Sequence, residues 1–208
     1  GELSYTVQGE VPYYGTFNFD QNDDLAYIRG LYAGTENTID LSFTDESMTF
    51  DTTIKVETEP LDEKYADRQI DVDGYSDEDF LMCGISYANF GSFHSVPTVI
   101  DKNGDIRWYA EYGSNRVIFP VRFNSDGSLL IPFKNELRIY NWHGEELGTV
   151  SLGNYVQHHE SFESRDGNYL VAVDIPSENR VEDFIIKVSP SGSILNTWDI
   201  QDILDVAR

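Results

Sequence analysis

VRFNSDGSLLIPF, residues 121–133, and ESFESRDGNYLVAVD, residues 160–174, decide the reading of the fold. Each carries an Asp-Gly pair, Asp126-Gly127 and Asp166-Gly167, between runs rich in apolar and β-branched residues. Asp can hydrogen-bond its own turn backbone and Gly supplies a positive φ at no steric cost, so each stretch reads as a β-hairpin. The two turns lie 40 residues apart. A second class of turn keeps step with the first. Asn103-Gly104, His143-Gly144 and Ser191-Gly192 follow the strand candidates PTVID, LRIYN and FIIKV, with Gly-to-Gly steps of 40 and 48. The unit is therefore strand, Asp-Gly turn, strand, loop, strand, Xaa-Gly turn, strand. A four-stranded meander with this period is the pattern of β-propeller blades. One such sheet cannot cover both of its apolar faces, so neighbouring sheets must stack on it. Trp108, Trp142 and Trp198 stand close to the second class of turns and are expected to pack between sheets. Residues 80–208 hold about two and a half units, fewer than a closed ring of blades needs.

Outward from this repeat, the N-terminal third offers shorter strands, at residues 3–8, 15–19, 26–33, 38–43 and 50–57, separated by clusters of Asn, Asp, Gly and Ser. Five short strands at this spacing suggest an immunoglobulin-like sandwich without the Cys-Trp-Cys core of antibody domains. The expected architecture is all-β: an immunoglobulin-like β-sandwich over residues 1–62, an acidic linker over 63–79, and the first blades of an incomplete β-propeller over 80–208. A short helix is expected at 200–206. Within the linker, Asp71-Val72-Asp73-Gly74-Tyr75-Ser76-Asp77-Glu78-Asp79 alternates carboxylates around a glycine. It reads as a solvated acidic loop or as a wrap for a hard cation such as Ca²⁺, although its spacing is not that of an EF-hand.

Charge narrows the range of partners. Among 208 residues, Asp and Glu number 37 and Lys and Arg 14, for a net charge of −23. Such a surface repels nucleic acid and anionic lipid. No apolar run approaches the length of a membrane span. The single cysteine, Cys83, allows neither an intrachain disulfide nor a cysteine zinc cluster, and its apolar setting reads as a small buried hydrophobe.

Four histidines are present. His94 and His143 are isolated and read as surface or packing residues. His158-His159-Glu160 opens a repeat unit just before the Asp166-Gly167 hairpin. The first strand of a blade lines the central channel, and adjacent strand residues face opposite sides, so only one of His158 and His159 reaches the channel unless the strand is bulged. Zinc is not favoured, because the helical His-Glu-x-x-His spacing and a third ligand are both missing. No Gly-x-Ser-x-Gly elbow supports a serine hydrolase. Arg116 and Arg122, near blade openings, are candidates to clamp a sulfate or phosphate group by paired hydrogen bonds, or else form surface salt bridges.

Five segments in order, GLYAGTENTIDLSF, TIKVETEPL, PTVIDKNGDIRWY, VQHHESFESRDGNYLVAVD and FIIKVSPSGSILNTWDIQDIL, resemble the bacterial arylsulfate sulfotransferases over residues 25–208. The resemblance implies an immunoglobulin-like domain before a six-bladed propeller. It implies transfer of a sulfuryl group from a phenolic sulfate ester to an acceptor phenol through a transiently sulfated histidine, with no cofactor, outside the cytoplasm: extracellular, at the cell surface, or periplasmic in a Gram-negative cell. His159, with His158 as the alternative, matches the family's first channel histidine motif, and its implied role is sulfuryl binding or acid–base help. Glu160 stands where Asp is usual. The nucleophilic histidine and the main sulfuryl-binding arginine match no position here, which implies an N-terminal portion of a longer enzyme, inactive by itself. An incomplete ring also leaves an apolar face and a strand edge uncovered, from which self-association is expected. Two other readings remain open at this stage: a non-catalytic extracellular protein whose repeats bind glycan or protein, and a different propeller enzyme such as a lyase or hydrolase.

Overall fold

Glycine and side-chain caps set the framework of this chain, as a computed structural model describing residues 1–19, 25–66, 70–72, 78–89, 92–112, 120–177 and 180–206 shows. All five Xaa-Gly turns read from the sequence form. Gly104, Gly127, Gly144, Gly167 and Gly192 have φ between 75° and 87°. The hydrogen bonds also recur. In each turn the glycine N–H donates to the carbonyl three residues before it, and that same residue's N–H donates to the carbonyl four positions on, as in Gly127 to Asn124 and Asn124 to Ser128. Side chains reinforce this pattern: Asp101 Oδ1 accepts from the amides of Asn103 and Asp105, and Asn141 Oδ1 from those of His143 and Glu145.

The fold is all-β, in several antiparallel sheets, none of which closes on itself. Contacts divide it into two units, Gly1–Cys83 with Thr98–Tyr109, and Gly84–Pro97 with Ala110–Arg208.

In the first unit, β1 (Glu2–Val7), β2 (Tyr13–Asn18), β3 (Glu36–Thr44) and β4 (Thr49–Glu57) form one sheet in the order β2-β1-β3-β4. Alternation sorts its faces. Tyr5, Val7 and Ile39 are buried, whereas Ser4, Thr6, Asp40 and Ser42 point the other way. Gly15 is required beneath the Tyr5 ring, since a Cβ there would meet it at 2.2 Å. The strand expected at 26–33 does not form. Gly30 takes φ 75°, and side chains replace ladder bonds: Arg29 N donates to Tyr5 Oη (3.1 Å), Tyr32 N to Asn37 Oδ1 (2.8 Å), and Tyr32 Oη to the Val11 carbonyl (3.0 Å). A sandwich needs a second sheet facing the first, whereas the described residues of this unit's N-terminal part build this single four-stranded sheet. The expected linker opens with a helical turn, α1 (Glu63–Ala66), whose Tyr65 is buried with its ring 4.7 Å from that of Tyr109.

Three strands follow, β5 (Phe80–Asn89), β6 (Ser92–Asp101) and β7 (Ile106–Tyr109), paired in that order. The β6–β7 turn belongs to the first unit, because Arg107 reaches from β7 into it. The Arg107 guanidinium is buried. It donates to the carbonyls of Gly30 and Val11 and to Asp101 Oδ2 (2.8 Å), and lies over the Tyr32 ring at 3.6 Å.

The second unit carries the repeat in full. β8 (Arg122–Phe123), β9 (Leu129–Phe133), β10 (Glu136–Tyr140) and β11 (Glu146–Ser151) make one meander; β12 (Val156–Glu163), β13 (Tyr169–Ile175), β14 (Arg180–Val188) and β15 (Ile194–Asp199) make the next. The expected terminal helix is α2 (Ile200–Val206). Leu130, Leu137, Val150 and Leu152 of the earlier sheet pack against Tyr169, Val171, Val173, Phe184, Ile186 and Val188 of the later one. This stacked layer is the core of the unit, and each fully buried Leu, Ile or Val in it contributes about 1.5–3 kcal/mol. Trp142 packs within its own sheet region, its ring stacked on Phe123 (5.6 Å) and its Nε1 donating to the Gly127 carbonyl (3.2 Å).

Candidate functional site

The histidine pair sits on a break in strand register. Val156 pairs with Asp174 and Gln157 with Val173, but the next pair is Ser161 with Val171. Three residues of β12, His158, His159 and Glu160, therefore stand opposite Ala172 alone. His159 takes φ 65°, the one positive φ at a non-glycine position among the described residues. A left-handed conformation at a residue with a Cβ costs on the order of 1 kcal/mol, and such outliers concentrate at functional sites. The neighbouring strand residue pins the bulge: Gln157 N donates to the Lys134 carbonyl (2.7 Å), and Gln157 Nε2 to the His159 carbonyl (2.8 Å).

The bulge cancels the alternation that would send the two imidazoles to opposite faces. Their rings meet edge to face, with centroids 4.3 Å apart and planes at 81°. Of the two, His159 is the more exposed and His158 is half-buried.

Arg122 is brought to the same place. β8 opens its sheet as β12 opens the next, and the two first strands lie side by side. Arg122 donates from one terminal nitrogen to both carboxylate oxygens of Glu160, each at 3.0 Å, and Glu163 accepts from the Ser125 amide. The two side chains are 46% and 53% exposed, so the pair contributes about 0–1 kcal/mol and is readily exchanged for another anion. Arg116 lies outside the described residues. So do residues 73–77, the heart of the acidic loop read as a calcium candidate. Among the described residues, no group of three His, Cys, Asp or Glu side chains is placed to hold a metal ion.

The remaining candidates take structural positions. The His143 amide caps its turn through Asn141 Oδ1 (2.9 Å). His94 lies on β6, its side chain outside the described part. Cys83 is half-buried, and burial raises its thiol pKa, which disfavours the thiolate a reactive cysteine needs. Sequence reasoning passed over Arg107, the buried arginine of the first unit. Its only local signal was a cation inside an apolar strand, IRWY, which an Arg at a strand end commonly gives without being buried.

The family model described as Arylsulfotransferase (ASST) matches residues 40–208. No curated protein matches the chain. Among solved structures, a crystal structure of a protein of unknown function from Bacteroides caccae is similar at 12% identity, over 97% of this chain and 74% of that one, with a TM-score of 0.41. No helix among the described residues is long and apolar enough to cross a membrane.

Proposed function

The chain belongs to the arylsulfotransferase family, and on that premise we propose that it supplies a sulfuryl-binding wall to an enzyme that moves a sulfuryl group from a phenolic sulfate ester to an acceptor phenol. The observation that carries this reading is the β12 bulge, which holds an exposed His159 in a strained backbone beside an exchangeable Arg122–Glu160 pair. In the first half-reaction a histidine nitrogen bonds to sulfur, the sulfur–oxygen bond to the phenol breaks, and the leaving phenolate takes up a proton. In the second the acceptor's phenol oxygen bonds to sulfur, the nitrogen–sulfur bond breaks, and the acceptor gives up its proton.

In this reading the nucleophilic histidine lies outside these 208 residues. His159 holds a sulfuryl oxygen or passes the phenol proton. Arg122 leaves Glu160 for the sulfuryl oxygens as negative charge builds on them. The four-stranded meanders are blades of the enzyme's propeller, the sheet at the N-terminus is an immunoglobulin-like domain, and the enzyme works outside the cytoplasm. No cofactor is required by the chemistry.

The test uses a longer protein containing this chain, a nitrophenyl sulfate donor and a phenol acceptor. Acceptor-dependent nitrophenol release is expected, reduced about 100-fold or more by His159→Asn. Asparagine tolerates the left-handed backbone, so that variant separates the ring from the strain. The 208 residues alone are expected to release none. Release without acceptor would make the enzyme a hydrolase, and full activity in His159→Asn would remove His159 from the reaction.

A further inference from the structure

Gln157 stands immediately before the histidine pair and is held from two sides. It pairs with Val173 of β13, and its amide donates to the Lys134 carbonyl (2.7 Å). Lys134 and Asn135 form the two-residue turn between β9 and β10, since Phe133 pairs with Glu136 across it. The same turn holds the approach to β12, because the Leu152 amide donates to the Asn135 carbonyl (2.9 Å). The Gln157 backbone is therefore fixed between its own sheet and a hairpin of the preceding one, just before the register breaks. From that fixed point its carboxamide reaches forward, and Nε2 donates to the His159 carbonyl (2.8 Å). His158, His159 and Glu160 take no part in the ladder with β13, so the bulge is shaped by bonds of this kind and not by strand pairing. Its far end is tied more weakly. Glu160 is held by the exposed Arg122 pair, and Ser161 Oγ is buried with no partner among the described residues.

We infer, resting on the sulfuryl-transfer reading above, that Gln157 is a positioning residue for His159. Its carboxamide keeps His159 in the left-handed conformation that sets the imidazole edge-on to His158. For a residue with a Cβ that conformation is otherwise disfavoured about fivefold or more. When Arg122 leaves Glu160 for the sulfuryl oxygens, the bulge loses its tie at the Glu160 end. The Gln157 bond, on the opposite side of the histidines, continues to fix the backbone through that step. What the role requires is the donated N–H, not the bulk of the side chain. A ring placed this way is held by a neighbour that is itself locked, and that neighbour needs no contact with substrate.

Two variants test this. Gln157→Glu keeps the shape of the side chain but replaces the NH2 donor with an acceptor oxygen, and Gln157→Met keeps its length and removes both. In the longer protein, with the nitrophenyl sulfate donor and phenol acceptor, each is expected to lower kcat about five- to tenfold. KM for the donor is expected to stay within about twofold, because Arg122 is untouched. In the 208-residue chain, both variants are expected to shift the His158 and His159 imidazole signals in NMR as the edge-to-face pair is lost, with circular dichroism unchanged. Wild-type kcat in both Gln157 variants beside an impaired His159→Asn would overturn this inference and leave the sulfuryl-transfer reading standing. An unimpaired His159→Asn would remove both. Unmoved histidine signals in Gln157→Glu, or a loss confined to Gln157→Met, would also overturn the inference, since packing would then replace the donated hydrogen bond as the cause. A loss carried by KM alone would do the same.

Discussion

Replacing Arg107 with methionine removes a buried cation while keeping most of its apolar stem. The guanidinium is 1% exposed and its partner, the Asp101 carboxylate, 0%. Arg107 Nε donates to the Gly30 carbonyl (3.0 Å), and one terminal nitrogen donates both to the Val11 carbonyl (2.9 Å) and to Asp101 Oδ2 (2.8 Å). Its plane also lies 3.6 Å above the centre of Tyr32. After the substitution Asp101 Oδ1 keeps the amides of Asn103 and Asp105, and the Val11 carbonyl keeps the Tyr32 hydroxyl. Asp101 Oδ2 and the Gly30 carbonyl lose the arginine. Breaking a buried pair from one side costs about 3–5 kcal/mol, mainly through the uncompensated charge left behind. Neutralising that charge as well, with Arg107→Met and Asp101→Asn together, is expected to recover about half of the loss. Urea unfolding of the full chain measures the total, and hydrogen exchange in peptides covering residues 98–109 locates it in the first unit. A loss under about 1 kcal/mol for Arg107→Met would refute the reasoning, because the guanidinium would then be solvated.

Three further outcomes follow from single positions. His159→Gly is expected to be more stable than His159→Ala by about 1 kcal/mol in urea midpoint analysis, since glycine alone enters φ 65° without strain; equal stabilities would mean that the bulge relaxes in solution. Gly127 and Gly104 have similar φ, 81° and 87°, but a Cβ meets nothing within 4 Å at Gly127 and the Ile70 carbonyl oxygen at 2.1 Å at Gly104. Gly127→Ala should therefore lower stability by about 1 kcal/mol and Gly104→Ala by clearly more, with the same loss at both arguing against the close approach. Lys187, with help from Ser164 and Asn168, holds the Asp166 carboxyl well below the usual carboxylate range. A depressed folded-state pKa gives stability that is present above the unfolded value of about 3.9 and is lost as pH falls below it. Asp166→Asn should flatten that acid limb, and an unchanged pH profile between 5 and 2 would dismiss the linkage.

The repeat was legible in residues 121–133 and 160–174 because a turn is local physics. Asp or Asn caps the amides two and four positions on, glycine accepts the positive φ, and no distant contact is needed to choose between alternatives. The all-β character and α2 followed from the same short-range rules. Residues 26–33 misled for the opposite reason. Their alternation matches a strand, but Tyr5 and Asn37, side chains from elsewhere in the unit, accept the amides of Arg29 and Tyr32, and the Tyr32 hydroxyl donates to the Val11 carbonyl.

What the sequence by itself determined, then, is where the chain turns and how often, and that His158 and His159 open a repeat unit. Tertiary structure alone decided how those histidines point. A three-against-one bulge depends on the register of β12 against β13, which is set jointly by the Asp166-Gly167 turn at one end and by Gln157 bound to Lys134 at the other. Tertiary structure also decided that Arg122 meets Glu160, 38 residues on, and that Arg107 is buried rather than solvated. Each depends on which strands lie side by side, a property of the packed sheets that no window along the chain contains.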